Sequence, residues 1–335
     1  MASVGIIANP ASGKDIRRLV ARASVFGNNE KVNILQRILL ALDALGVAEA
    51  SIMPDTYRLG AQALDGVKLP SLQVGTLTMR MAGTDQDSTN AARRFCEMGV
   101  GCIVVLGGDG TNRAVAKGCG NVPIVPVSTG TNNVFPVMVE GTVAGIAAGL
   151  VALGAVDAEM VTYRTKRLEV YCDGRLADIA LIDVVTCSDL WVGARAIWDP
   201  SHIREVVLAR AEPTSIGTSA VGSCFETVGP RDGRGMYLAL GAGGTAVLAP
   251  IAPGLVTEIP IREQRLLAVG EEVTLDADAA TIALDGEREV EVYGPGATVV
   301  RLTNSGPCVV DIAQCLEAAA RSGVFKGPRS PRRRD

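Results

Sequence analysis

CIVVLGGDGTNRAV, residues 102–115, runs from a β-branched and leucine stretch straight into Gly-Gly-Asp-Gly-Thr. A short apolar run that stops at glycines has the form of a buried strand, and the residues from Thr111 onward carry helical character. Strand, glycine turn and helix together make the first half of a βαβ unit. Asp109 sits between glycines at the mouth of that strand, and a carboxylate there needs a reason.

Reading outward, residues 4–8 form another apolar strand, followed by the turn NPASGKD. Helical spacing covers about residues 30–46, with Leu35, Ile38, Leu39, Leu42 and Leu45 on one face. Short strands are expected over 51–53, 71–75 and 76–81. DSTNAARRFCEMG has the signals of a capped helix, with Asp87 or Ser88 at the N-cap and Gly99 just past the end. A strand over 123–127 then leads into the loop STGTNN and a helix reaching about Leu153. Strands alternating with helices predict a Rossmann-like parallel α/β domain over residues 1–156.

From Asp157 the pattern changes to strands joined by short turns, with Asp173-Gly174 and Asp285-Gly286 as hairpin signals. Residues 157–305 are expected to form an antiparallel β-rich acceptor domain. Residues 306–325, with helical character over 308–323, are expected to pack back on the first domain. The basic tail, 326–335, is expected to be a solvated, disordered end.

The composition narrows the function. A chain of 335 residues, 48% hydrophobic, has room for two cores. A net charge of −4 and 4% aromatics leave no basic or stacking surface for nucleic acid. None of the eight cysteines forms a C-x-x-C pair, which suits thiols in a reducing cytoplasm and not a disulfide frame or zinc site. MASVGIIANP lacks the features of a signal peptide. GTVAGIAAGLVALGAV, residues 141–156, is too short and too rich in Gly and Ala to span a membrane, so a buried helix is expected there. Membrane and nucleic-acid partners are therefore not expected.

Ligands of a parallel α/β sheet bind beyond the carboxyl ends of its strands. Three Gly-, Ser- and Asn-rich loops fall at such ends: 9–14, 107–112 and 128–133. Glycines let the backbone approach phosphate oxygens, and helix-start amides point at them. Lys14 could add a point charge. Asp109 would repel a bare phosphate, so it suits a place where it faces Mg²⁺ on the phosphates or accepts a proton from an attacking hydroxyl. A simple Asp-Gly turn that caps the following helix is the competing explanation.

These residues resemble a known superfamily. GGDGT after an apolar strand is similar to the hallmark of the NAD kinases and the diacylglycerol- and sphingosine-type lipid kinases. NPASGK resembles their N-terminal Asn-Pro-x-Ser-Gly turn, and VPVSTGTNNVF the lipid-kinase Gly-Thr-x-Asn-Asp loop. ALIDVV, residues 180–185, resembles the NAD-kinase Ala-Leu-Asn-Glu/Asp-Val-Val strand, and LDGE, residues 284–287, the lipid-kinase Asp-Gly-Glu segment. GIIANPASGKDIRRLVARASVF resembles the acetoin catabolism protein X family, which is NAD kinase-like.

The resemblance implies ATP and Mg²⁺ as cofactors and a small-molecule acceptor, NAD or a polyol-like metabolite. It also implies a homo-oligomer, dimer or tetramer. Asp109 would act at the phosphoryl-transfer centre as base or metal partner, with Glu287 as a second carboxylate near the acceptor hydroxyl. Gly107, Gly108, Gly110, Thr111 and Asn112 would cradle phosphates. Asn9, Ser12, Gly13, Lys14, Thr129, Gly130, Thr131 and Asn132 would line the nucleotide side. Asn133 and Asp183 would lie toward the acceptor.

There are departures from both branches. Ile182 stands where NAD kinases carry Asn, and the NAD-kinase Thr-Gly-Ser-Thr-Ala-Tyr segment is reduced to GAGGTAVLAP. Asn133 stands where lipid kinases carry Asp. The phosphate side is better kept than the acceptor side. A kinase for NAD, a kinase for a small polyol, a non-catalytic nucleotide-binding regulator and a lipid kinase all stay open.

A single histidine, His202, cannot build a multi-His metal site, and no Ser-His-Asp or Cys-His triad can be argued from it. It is either structural or a substrate contact. Trp191 and Trp198 have the character of core anchors or part of an acceptor lid. Arg195 and Arg204 suit solvated faces or phosphate contacts, and Asp85 and Asp87 suit loop and cap carboxylates or a metal or ribose contact.

Overall fold

The computed structural model describes residues 1–13, 26–130, 132–188, 202–275, 281–291 and 298–326, with residues 287–291 in their backbone alone. The first part of the chain runs β1 (Ser3–Ala8), α1 (Asn28–Leu45), β2 (Glu49–Ile52), α2 (Leu59–Leu64), β3 (Gln73–Thr76), α3 (Gln86–Met98), β4 (Cys102–Gly107), α4 (Asp109–Ala116), β5 (Ile124–Ser128) and α5 (Gly141–Ala152). It continues with α6 (Ala158–Val161), β6 (Thr162–Arg164), β7 (Arg167–Cys172), β8 (Arg175–Ala180), β9 (Asp183–Cys187), β10 (Ile203–Leu208), α7 (Thr218–Ser223), β11 (Arg234–Ala252) and β12 (Leu255–Ala268). The last elements are β13 (Glu272–Thr274), β14 (Thr281–Leu284), β15 (Glu287–Glu291), β16 (Thr298–Thr303), β17 (Cys308–Val310) and α8 (Ile312–Ser322).

The first sheet has the order β3-β2-β1-β4-β5-β17-β6. Strands β3 to β5 are parallel, β17 adds parallel to β5, and β6 closes the edge antiparallel to β17. The opening stretch shows why the sheet is doubly covered. Cys102, Val104 and Leu106 of β4 enter the core under α1 and α5, while Ile103 and Val105 enter the opposite core around Phe95 of α3. All five are fully buried, so the strand is a continuous apolar run and not an alternating one.

The stretch with membrane-like composition is α5, whose glycines let it lie directly on α1: a Cβ at Gly145 would come 2.8 Å from Ile38 O. Among the described residues no helix is long and apolar enough to cross a membrane. Cys315 and Ala319 of α8 enter the same core.

Two local expectations fail. The strand expected over 76–81 does not extend past Thr76. Its neighbour β2 ends at Ile52, whose carbonyl takes its last bond from Leu77 N–H, and beyond it Asp87 accepts from Ala82 and Gly83 N–H instead. Residues 308–310, expected in the last helix, form β17. The Val-Val pair fills the slot between β5 and β6, and Asp311 then caps α8 by accepting from Gln314 N–H.

The β-rich part has a six-stranded sheet, β12-β11-β10-β9-β14-β15, packed on a four-stranded sheet, β13-β16-β7-β8. Alternation along each strand sorts the side chains. Val184, Val207 and Ala239 face the four-stranded sheet, whereas Val185, Val206 and Leu238 face the other way, toward α7. Asp173-Gly174 and Asp285-Gly286 both have positive φ, as two-residue hairpins require.

Candidate functional site

The strand order places the topological switch between β1 and β4, where successive connections leave in opposite directions and a crevice opens. Three loops meet there. Asn9 Nδ2 donates to Thr111 Oγ1 at 2.8 Å, and the hydroxyls of Ser12 and Thr129 lie 2.7 Å apart. Asn133 Nδ2 donates to Ser128 Oγ at 2.8 Å. The three predicted loops are thus one hydrogen-bonded unit.

Its glycines serve that assembly first. Gly13 has φ +73°, and a Cβ there would sit 2.6 Å from Thr129 O. Gly107 has no room for a Cβ beside Thr111, and Gly108 and Gly130 both lie against the Asn133 amide. Gly110 lies in the first turn of α4. Asn112 is fully buried, and its amide donates to Gly108 O, which places it behind the loop. Lys14 and Thr131 lie outside the described residues.

The turn after β1 rests on Lys31, which the sequence did not single out. Its ammonium is fully buried and donates to the carbonyls of Asn9, Pro10 and Ser12. A surface-type residue in α1 carries no sequence signal for such a task.

Asp109 is the first residue of α4, where a negative charge suits the helix dipole. Its carboxylate accepts from Val134 N–H at 3.1 Å and from Phe135 N–H at 2.7 Å. This accounts for a carboxylate between glycines: Asp109 ties the loop after β5 to the strand end of β4. It also faces a pocket. Arg210, just past the end of β10, secures the same loop from the other domain. It is 5% exposed, lies 4.6 Å over the Phe135 ring, and donates to Val134 O at 3.4 Å.

The pocket lies between the α/β loops and the six-stranded sheet and opens to solvent. Asp109, Asn132, Asp183 and Asp285 line its polar end. Asp183 accepts from the Thr218 hydroxyl and from Gly286 N–H. Asp285 is fully buried in its side chain and accepts from Leu181 and Ile182 N–H. Arg113 of α4 approaches it at 3.4 Å. Burial pushes the Asp285 carboxyl up to about 8. Asp183 and Asp109 add to the rise, and the Arg113 guanidinium and the Ile182 amide oppose it.

Asp285 was legible as a hairpin residue and as part of the LDGE segment; the pairing of β14 with β9 sets it beside Asp183, and the packing of the two parts brings it near Asp109. Glu287 lies on β15 with its side chain outside the described atoms. Asp87 spends both carboxylate oxygens on loop amides. His202 is half-buried and Arg204 exposed, while Trp191, Arg195 and Trp198 lie outside the described residues. Among the described residues no three His, Cys, Asp or Glu side chains gather to hold a metal.

Comparison with known proteins agrees with this two-part layout. Residues 4–156 match the ATP-NAD kinase N-terminal domain, and residues 166–305 match the acetoin catabolism protein X C-terminal domain. A solved structure described as a candidate diacylglycerol kinase from Bacillus anthracis strain Sterne covers 92% of this chain and 97% of its own. It does so at 14% identity and a TM-score of 0.42, too low for residue-level correspondence. The acetoin catabolism protein X of Cupriavidus necator is 37% identical over 344 residues, covering 98% of this chain and 95% of its own. With that identity running through both domains and the loops that join them, the chain belongs to the acetoin catabolism protein X family.

Proposed function

We propose that the protein is an ATP-dependent phosphotransferase with an alcohol acceptor, NAD kinase-like in its chemistry and linked to acetoin catabolism. The α/β domain would bind the nucleotide and the β-rich domain the acceptor. One observation carries the reading: three loops bonded together at the switch point present Asp109 to a pocket that the second domain completes.

In this reading the acceptor oxygen attacks the γ-phosphorus of ATP. Its proton passes to the Asp109 carboxylate, the bond to the β-phosphate oxygen breaks, and ADP leaves. Val134 and Phe135 N–H hold the carboxylate in place, so positioning and local electrostatics do most of the work. Asn9, Ser12, Thr111, Thr129 and Asn132 would contact the nucleotide, and Asp183 and Glu287 the acceptor end. Asp109 fits Mg²⁺ carried by the phosphates better than a protein cage does, since Mg²⁺ ordinarily needs only one or two carboxylates beside them. Such an ion supplies charge neutralisation on the transferred phosphoryl group. The protein would act in the cytoplasm.

The test is ATP turnover by the purified protein with Mg²⁺ across NAD, NADH, polyols and sugars, with Asp109→Ala as control. Phosphorylation that falls at least a thousandfold in the variant, with little change in melting temperature, supports the reading. ATP binding without transfer to any acceptor would replace it with a nucleotide-binding regulator.

A further inference from the structure

The lining of the pocket narrows what its occupant can be. Ten of its eighteen described lining residues are aliphatic, and none is aromatic or cationic. Ile182, Val206, Val221, Leu240, Ile251 and Ile259 form its wall, from β9 across to β12 and α7. The acidic groups are the carboxyls of Asp109, Asp183 and Asp285, all at one end. A pocket of this kind takes apolar surface out of water along its length and reserves hydrogen bonding for its mouth.

We infer that the acceptor is an uncharged alcohol with an aliphatic body, held tail-first among these side chains with its hydroxyl at Asp109. The statement of what binds rests on the lining; that the bound alcohol is phosphorylated rests on the phosphotransferase reading. NAD fits poorly. Its diphosphate would enter beside the Asp109 and Asp183 carboxylates and the buried Asp285 carboxyl, with no cation among the described lining residues to meet it. Ile182 also offers no hydrogen bond to a nucleoside, and a site that leaves polar groups unpaired discriminates strongly against their owner. A polyhydroxylated acceptor meets the same objection, because most of its hydroxyls would lie against aliphatic walls.

The experiment uses the full chain with ATP and Mg²⁺ and a homologous series of 1,2-diols from propanediol to octanediol. Glycerol and NAD are the polar controls, and monoacylglycerol in detergent is the lipid arm. Dissociation constants come from calorimetry and phosphorylation rates from ADP release. Affinity is expected to rise about fourfold for each buried methylene until the pocket fills. Glycerol and NAD should bind at least tenfold more weakly than the best diol. Val221→Ala should move the plateau to a longer chain, and Ile259→Asn should flatten the series, with thermal melting as the check on folding.

A plateau among the diols assigns a short-chain alcohol, and a rise continuing into monoacylglycerol assigns a lipid, both within the inference. A chain-length dependence of binding without phosphorylation would retain the inference and discard the kinase. Affinity independent of chain length, or NAD bound or phosphorylated in preference to every diol, would overturn it.

Discussion

Replacing Arg113 with methionine tests how the acidic end of the pocket is held. The Arg113 side chain is 2% exposed, between Asp285 at 0% and Asp178 at 15%. Asp178 keeps Lys117 at 2.6 Å when Arg113 is lost, so the penalty falls on Asp285. Burial raises the Asp285 carboxyl from 3.8 to about 8, against the pull of Arg113. A carboxyl whose folded value exceeds its unfolded one holds its proton in the folded state. Stability therefore falls as pH climbs from about 4 to 8, and levels once both states have released the proton. Without Arg113 the folded value climbs further and the fall continues above pH 8. The gap between wild type and Arg113→Met should be steady from pH 6 to 7.5, then widen by about 1.4 kcal/mol per pH unit above 8. Stripping a buried charge of its partner is worth about 3–5 kcal/mol in all. Urea unfolding at pH 6.5, 8.0 and 9.5 measures the gap, and Asp285→Asn in both backgrounds should abolish the widening. An equal gap at pH 6.5 and 9.5 would refute the coupling.

Two further outcomes follow from the loops. Arg210→Met removes the brace on Val134 and Phe135 without touching the pocket's polar end. It should lower kcat by about ten- to a hundredfold through misplacement of Asp109, with KM for ATP nearly unchanged in steady-state assays. Gly13→Ala forces a side chain into a left-handed turn and onto Thr129 O, so chemical denaturation should show a loss of more than about 1 kcal/mol. ATP affinity, measured by calorimetry, should drop with it.

The Asp-Gly signals show how far local reading reaches. Asp173-Gly174 and Asp285-Gly286 look alike in sequence, and both make two-residue hairpins. Only the second is carried into the pocket, because β14 pairs with β9 and places its turn beside Asp183. Similarly, β6 and β17 pair Arg164 with Cys308 from opposite ends of the β-rich stretch, yet the two segments close the edge of the first sheet together. Neither pairing has a local signature, since each joins strands that are distant in the chain within one sheet.

The α/β-then-β order, the phosphate-type loops and Asp109 follow from patterns within a few residues: apolar runs, glycine turns and helix starts. Those are short-range consequences of backbone geometry, so they survive without knowledge of the fold. Lys31 under the first loop, Arg210 over the third, Arg113 behind Asp285 and the aliphatic wall around Ile182 arise between segments far apart in the chain. A side chain's burial and charge partners are set by whatever the fold brings against it, within one domain for Lys31 and the aliphatic wall and between the two for Arg113 and Arg210.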